Sequence, residues 1–468
     1  MKRPSGGTLI SSALAIGGIA VLVLWLNLGP KNALQARIPG LDRPPIDRPS
    51  DRGTVPTAGV LLKSDGKPAD LPGLWPCFRG KNLDGMASDT VALARQWPPE
   101  GPQALWSVEM GEGYAGPAVW SGRVYVLDYD RGASADALRC LSLADGKEIW
   151  RYSYPVAVKR NHGMSRTVPA VSDKYIVSLG PKCQVTCLDP TTGERYWAID
   201  LVEEFGAAVP PWYAGQCPLM DGDRVILAPA GPDVLVMAVD CKTGKPIWKS
   251  PNSRGWKMTH VSIMPMEVDG RRMYVYCGSG GVAGVAADDG SLLWDTTDWK
   301  IAIATVPSPT ILPGGKVFLS GGYNAGAAML EVKKEGGRFA VKTLLKLKAD
   351  RFGSTQHTPI LLKDHLYGVR EKDKELVCLD LSGKQVWASG SQHRFGLGPY
   401  LIADGLIYVM NDDGRLTMAE ATPTGYKQLA QAQVLDGHDA WGPMALVAGR
   451  LLVRDLTRMV CLDVQKAK

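Results

Sequence analysis

Few side chains in this 468-residue chain combine type and spacing in a way that could do chemistry, and they gather in a handful of segments. Five of its six histidines, His162, His260, His357, His393 and His438, share those segments with Tyr114, Trp212, Tyr213, Trp256, Trp299, Phe395 and Trp441. Asn161, Arg166, Gln216, Gln356, Arg394 and Asp439 lie among them. Large apolar rings beside fixed amide and guanidinium groups are what a binding surface uses, area for affinity and polar atoms for orientation. The plainer reading is that loops carry polar residues in any protein and that some of these rings cap a core. No nucleophile elbow and no HExxH motif is present, so no catalytic set is assigned.

The nine cysteines give no CxxC and no histidine-spaced pair, so a metal site is not expected. Cys140, Cys187, Cys378 and Cys461 recur at one place in four different units, where other copies carry Ala238 and Ala286, and read as small core residues. Cys77, Cys217, Cys241 and Cys277 stay open as disulfide candidates; the odd count leaves at least one thiol unpaired.

What must position these groups is a repeat. An Asp or its equivalent, a Gly turn and then a Trp recur at Trp150, Trp197, Trp248, Trp294 and Trp387, as in CLDPTTGERYW and AVDCKTGKPIW. With Trp106 in front, and Leu345 and Leu429 where degenerate copies should have Trp, the intervals are 44, 47, 51, 46, 51, 42 and 42 residues. A second phrase, an apolar run, a tight turn and a β-branched or aromatic run, opens each unit from Gly116, Val168, Cys217, Met266, Ser308, Thr358, Gly398 and Gly442. Two hairpins per unit make a four-stranded blade. Eight of them make an all-β, eight-bladed propeller, a ring that protects its sheet edges.

The last unit has only three strands before the chain ends, and the segment 103–110 around Trp106 is predicted to supply its fourth. Connections from the outer strand of one blade to the inner strand of the next all lie on one face of such a ring. The five histidines and their aromatic neighbours fall in those connections, whereas His365 falls in a turn within a blade.

The Asp–x–x–Thr–Gly–Lys–x–x–Trp unit resembles the tryptophan-docking repeat of PQQ-like, quinoprotein-alcohol-dehydrogenase-like propellers. The segment WPCFRGKNLDG from Trp75 to Gly85 is similar to a lead-in found before such propellers. The resemblance covers about residues 74–468. It implies the fold, and it implies two competing functions. One is a binding or scaffold propeller, similar in architecture to the lipoprotein of the outer-membrane β-barrel assembly machinery, with a protein or peptide partner on the loop face. The other is a PQQ- and Ca²⁺-dependent dehydrogenase with its cofactor in the central funnel. The chain departs from the second pattern: it has no adjacent cysteines, only scattered acids such as Glu112, Glu203, Glu204, Asp298 and Asp350, and no long insertion between units. The scaffold function is therefore expected, and no cofactor is assigned.

Net charge is +6, of which +4 (nine Lys/Arg less five Asp) belongs to the first 73 residues. The ring itself is nearly neutral, which argues against nucleic acid as a partner. Lys2 and Arg3 precede Thr8–Leu28, an uncharged run of 21 residues, long enough for a bilayer core of about 30 Å. Residues 1–29 are thus expected to be an uncleaved signal-anchor, with the propeller on the extracytoplasmic side of the inner membrane. Residues 30–73, with eight prolines, are expected to be a disordered tether reaching roughly 130 Å when extended.

Overall fold

The two hairpins of each unit pair antiparallel into one sheet, and there are eight such sheets. The computed structural model describes residues 17–23, 59–88, 91–161 and 163–466. Inner to outer, the first blade runs Ala118–Trp120, Arg123–Asp130, Ala135–Ser142 and Glu148–Pro155. The inner strands of the other blades are Ala170–Val171, Leu219–Asp221, Met264–Val268, Thr310–Leu312, Ile360–Leu362, Tyr400–Ala403 and Ala445–Val447. The eighth blade takes its outer strand, Ala104–Glu109, from ahead of the first, with Trp106 opposite Cys461 and Glu109 opposite Arg458. The expected closure is therefore the observed one.

The Trp phrase turns out to be an interlock. In every blade the ladder between the third and fourth strands slips by one residue, so that a bulged residue precedes the Trp position and turns the indole toward the next blade. There the ring meets the Gly of the following copy: a Cβ on Gly146 (φ 72°) would lie 2.7 Å from the Trp106 ring, and one on Gly244 (φ 72°) 2.7 Å from Trp197. The indole N–H of Trp106 donates to the Leu143 carbonyl at 3.1 Å, and that of Trp197 to the Cys241 carbonyl at 2.7 Å. Four rings seat in this way, Trp106 on Gly146, Trp150 on Gly193, Trp197 on Gly244 and Trp248 on Gly290.

Directly across the ladder from each indole sits a small residue: Cys140, Cys187, Ala238, Gly284, Cys378 and Cys461. The repeat pattern had put Ala286 in this role, but Gly284 faces Trp294: Ala286 itself stands at the Asp place, its carbonyl accepting from the Gly290 N–H as that of Asp240 accepts from the Gly244 N–H. The bulge also corrects the degenerate seventh copy, where Ala430 rather than Leu429 holds the Trp place. In the two blades without Trp the opposing residue grows to methionine, Met329 against Leu345 and Met418 against Ala430. Core volume is conserved by exchange across the ladder.

The expected boundary between tether and ring at residue 73 falls too late. Val60–Lys63 adds a fifth strand to the outer edge of the first blade, Val60 opposite Ser153 and Lys63 opposite Trp150. The apolar run of this short segment finds an open ladder, and that pairing outweighs the polar composition around it. Of the expected membrane-crossing run Thr8–Leu28, residues 17–23 are helical and the rest lies outside the described residues, as does 30–58. Among the described residues no helix is long and apolar enough to cross a membrane.

Candidate functional site

The lead-in closes the channel. Val119, in the inner strand of blade 1, exchanges hydrogen bonds with Trp75, and Val171 of blade 2 donates to the Pro76 carbonyl. Only three residues later Arg79 donates to the carbonyls of Thr358 at 2.8 Å and Pro359 at 3.2 Å, beside the inner strand of blade 6, directly across an eight-blade ring from blade 2. The chain then reaches blade 7, where the Ala87 N–H bonds the Ile402 carbonyl, and blade 8, where Ala94 bonds Val464. A segment that touches opposite blades within four residues spans the axis. Phe78 lies at its midpoint and forms the floor of the funnel.

Above that floor the inner strands begin in a hydrogen-bonded arc. The backbone N–H of Val168 donates to Cys217 Sγ (3.2 Å), that of Cys217 to Ser262 Oγ (3.0 Å), that of Ser262 to Ser308 Oγ (3.0 Å) and that of Ser308 to Thr358 Oγ1 (2.8 Å). Each N–H that an inner strand cannot satisfy within its own blade is met by the next blade's side chain. This is the role of Cys217, whose thiol burial pushes up to about 11. All nine cysteines are free thiols, so the open disulfide candidates are not bonded here.

The cavity above encloses about 260 Å³. Seven of the residues singled out in the sequence line it, from six different inter-blade connections: Tyr114, Arg166, Trp212, His260, Gln356, His357 and Trp441. The rings of Tyr114 and Trp441 pack 5.2 Å apart, and Trp212 and His260 6.3 Å apart. The Arg166 guanidinium lies 5.1 Å over the Tyr114 ring, with Nε donating to the Trp212 carbonyl and Nη2 to those of Asn161 (3.0 Å) and Gly163 (3.2 Å). Burial draws Arg166 down to about 10, so it stays cationic at neutral pH. Tyr114 is itself fixed from below by Arg454, which donates to the carbonyls of Gly111 (3.0 Å) and Ala115 (3.1 Å).

The two histidines carry no charge. Burial and then the Arg166 cation push His260 down to about 3; burial and then Arg79 push His357 down to about 4. Nε2 of each, and Thr355 Oγ1 beside them, is buried without a hydrogen-bond partner. Trp212 and Tyr213 both hold left-handed backbone, at φ 59° and 73°, and so does Tyr323 at 59°. Strain of that kind gathers where side chains are aimed at a task rather than at the core.

Other predicted residues sit elsewhere. Tyr213 is on the rim, with its hydroxyl donating to the Lys159 carbonyl at 2.7 Å; Asp439 accepts from Tyr114 at 3.2 Å, and exposed His438 lies 3.4 Å from Asp439. His393 packs on Tyr426, rings 5.1 Å apart, and Arg394 is exposed. Four residues belong to the core instead: Gln216, Trp256, Trp299 and Phe395 are buried. The Gln216 amide completes the ladder at Ala228 N and O, and Trp256 covers the glycines Gly278, Gly280 and Gly281, which offer no side chains of their own. His162 lies outside the described residues. Sequence reasoning missed Phe78 and Tyr323, which also line the cavity. Tyr323 sits in a turn between second and third strands, which shares the face of the inter-blade connections, so strand counting could have found it.

Fold and site together define a closed eight-bladed propeller with a blind, aromatic funnel. The family described as outer membrane protein assembly factor BamB matches residues 134–389, more than half of the chain, and the chain belongs to that family. No curated protein matches it in sequence. Among solved structures, BamB from Moraxella catarrhalis is similar at 14% identity and a TM-score of 0.53, covering 77% of this chain and 99% of that one. The quinohemoprotein alcohol dehydrogenase ADHIIG from Pseudomonas putida HK5 is similar at 12% identity and a TM-score of 0.46, covering 85% of this chain and 81% of that one. At these identities the likeness is one of fold.

The repeat's resemblance raises a quinone cofactor held by Ca²⁺ as an occupant of the funnel. Its described lining contains one cation and no carboxylate. Calcium takes about six to eight oxygen ligands, carboxylates prominent among them. The residues present do not fit a Ca²⁺-held quinone.

Proposed function

We propose that this chain is a scaffold propeller of the cell envelope, anchored in the inner membrane through Thr8–Leu28, that grips a protein or peptide partner over its funnel face. The observation that carries the reading is the convergence of seven side chains from six separate connections on one blind cavity. Aromatic anchors held by backbone bonds, over a floor the chain itself provides, present apolar area at little cost in side-chain entropy. Membership in a family described as an outer membrane assembly factor supports an envelope protein as the partner.

The test is site-specific photocrosslinking in intact cells with the full-length chain. A photoreactive residue in place of Tyr213 or Tyr323 should capture a discrete envelope protein, whereas one at Lys384, in a turn on the opposite face, should not. Replacing Trp212 and Trp441 with Ala should reduce the captured band by about tenfold or more, since buried aromatic anchors are each worth about 2 kcal/mol or more. Equal capture from both faces, or capture indifferent to both indoles, would sink the reading.

A further inference from the structure

The cavity's shape and charge narrow what it can accept. Phe78 and the lead-in make it a dead end, so a chain cannot thread through; whatever enters must finish there. Its volume of about 260 Å³ falls below the ~300–1,000 Å³ of usual small-molecule sites and suits one large side chain with its backbone end. The described wall is aromatic, with Arg166 as its one charged group; His260 and His357 are neutral beside it. An anion entering this low-dielectric space meets a cation fixed by carbonyls and a ring face, preorganised before binding.

We propose that the funnel binds the C-terminal residue of its partner chain, an apolar side chain against Trp212, Trp441 and Phe78 with its terminal carboxylate on Arg166. This rests on the funnel face taking a protein segment, and it adds which part of the segment enters. Capturing a chain end by its carboxylate is a known mode of peptide recognition. Here the blind floor supplies the requirement for an end, the rings supply the requirement for an apolar residue, and the arginine supplies the requirement for an acid. The residues that carry the three orphaned polar atoms, His260, His357 and Thr355, line the same space.

Calorimetry on the full chain in detergent micelles tests this with acetyl-Gly-Gly-Phe, its C-terminal amide, and 3-phenylpropionate. The peptide acid should bind saturably, the amide about tenfold or more weaker, and the free acid weaker than the peptide. Arg166→Gln should erase the gap between acid and amide, while Arg166→Lys retains part of it. Because Arg166 also holds the loop, Val306→Trp serves as an independent variant: it fills the cavity from another blade and should abolish binding with the melting transition unchanged. Acid and amide binding alike, no saturable heat, or 3-phenylpropionate equalling the peptide would each overturn the chain-end assignment. Photocrosslinking from Tyr213 that persists without the acid–amide gap would leave the scaffold function standing and remove only this inference.

Discussion

Deleting Ala104–Glu109 should leave a chain that no longer unfolds cooperatively, even though seven complete blades remain. The strand is the outer member of the eighth blade, and its removal exposes the ladder of Arg458–Asp463 while leaving the first blade without the indole that seats on Gly146. Trp106 alone is 8% exposed, and Trp→Ala at such a site costs about 3–5 kcal/mol. A domain of ordinary stability has about 5–15 kcal/mol in total. Losing the indole, the five-residue register from Ala104 to Glu109 and ring closure together exceeds what the rest can supply. Thermal unfolding followed by circular dichroism, with size-exclusion chromatography, should show a broad transition and association through the open edges. Trp106→Ala should be intermediate. Deleting Val60–Lys63 is the contrast: that strand only caps the outer edge of the first blade, and the ring should still melt sharply without it. A 104–109 deletion melting like the intact protein would mean that closure carries little of the stability.

The ring was readable because its repeat is dictated by local physics. A turn that needs left-handed backbone demands Gly, and an indole that must fill the gap between blades demands Trp; the two letters stand together in five of the eight copies, enough to set the period. The bulge leaves no letter. It is a slip in pairing, and it moved the seventh Trp place from Leu429 to Ala430; the small partner of Trp294 was misplaced because Ala286 fills the Asp position of its copy. Val60–Lys63 was hidden for a related reason, since four residues of apolar character amid prolines become a strand only when a neighbouring edge is free.

The site was legible as a face and illegible as a pocket. Strand counting told which segments share an end of the ring, and that gathered Tyr114, Arg166, Trp212, His260, His357 and Trp441. It could not tell depth. Trp256 and Trp212 look alike in sequence, yet Trp256 folds back over Gly278–Gly281 while the backbone at Trp212 turns left-handed and delivers its ring to the axis. The lead-in was legible only as a family mark; that it crosses from blade 2 to blade 6, and so converts a channel into a funnel, follows from pairings between residues about 280 positions apart.

Asp136→Asn should stabilise the propeller above neutral pH and remove part of its pH dependence. Asp136 is 1% exposed in the third strand of the first blade, where it accepts from Tyr154 Oη at 2.8 Å and Ser165 Oγ at 2.9 Å. Burial raises its pKa from 3.8 to about 7, against those two hydrogen bonds, which lower it. The folded state therefore holds a proton between pH 4 and 7 that the unfolded chain has already lost. Stability from this group is greatest below the unfolded value and falls as pH rises through the folded one, reaching its full penalty above about pH 7. Three units at about 1.4 kcal/mol each set a ceiling of ~4 kcal/mol. The amide of Asn cannot ionise, and can still accept from Ser165 while donating to Tyr154. Denaturant unfolding at pH 5, 6, 7 and 8 should thus show the two proteins diverging by up to a few kcal/mol as pH rises, with Asn the more stable; parallel curves would place the proton elsewhere. The consequence reaches the funnel, because Ser165 adjoins Arg166 and its carbonyl receives the Tyr114 N–H at 2.7 Å. The same carboxyl that limits stability holds the loop on which the funnel's cation stands, so Asp136→Ala, which drops both hydrogen bonds, should loosen Arg166 where Asp136→Asn does not.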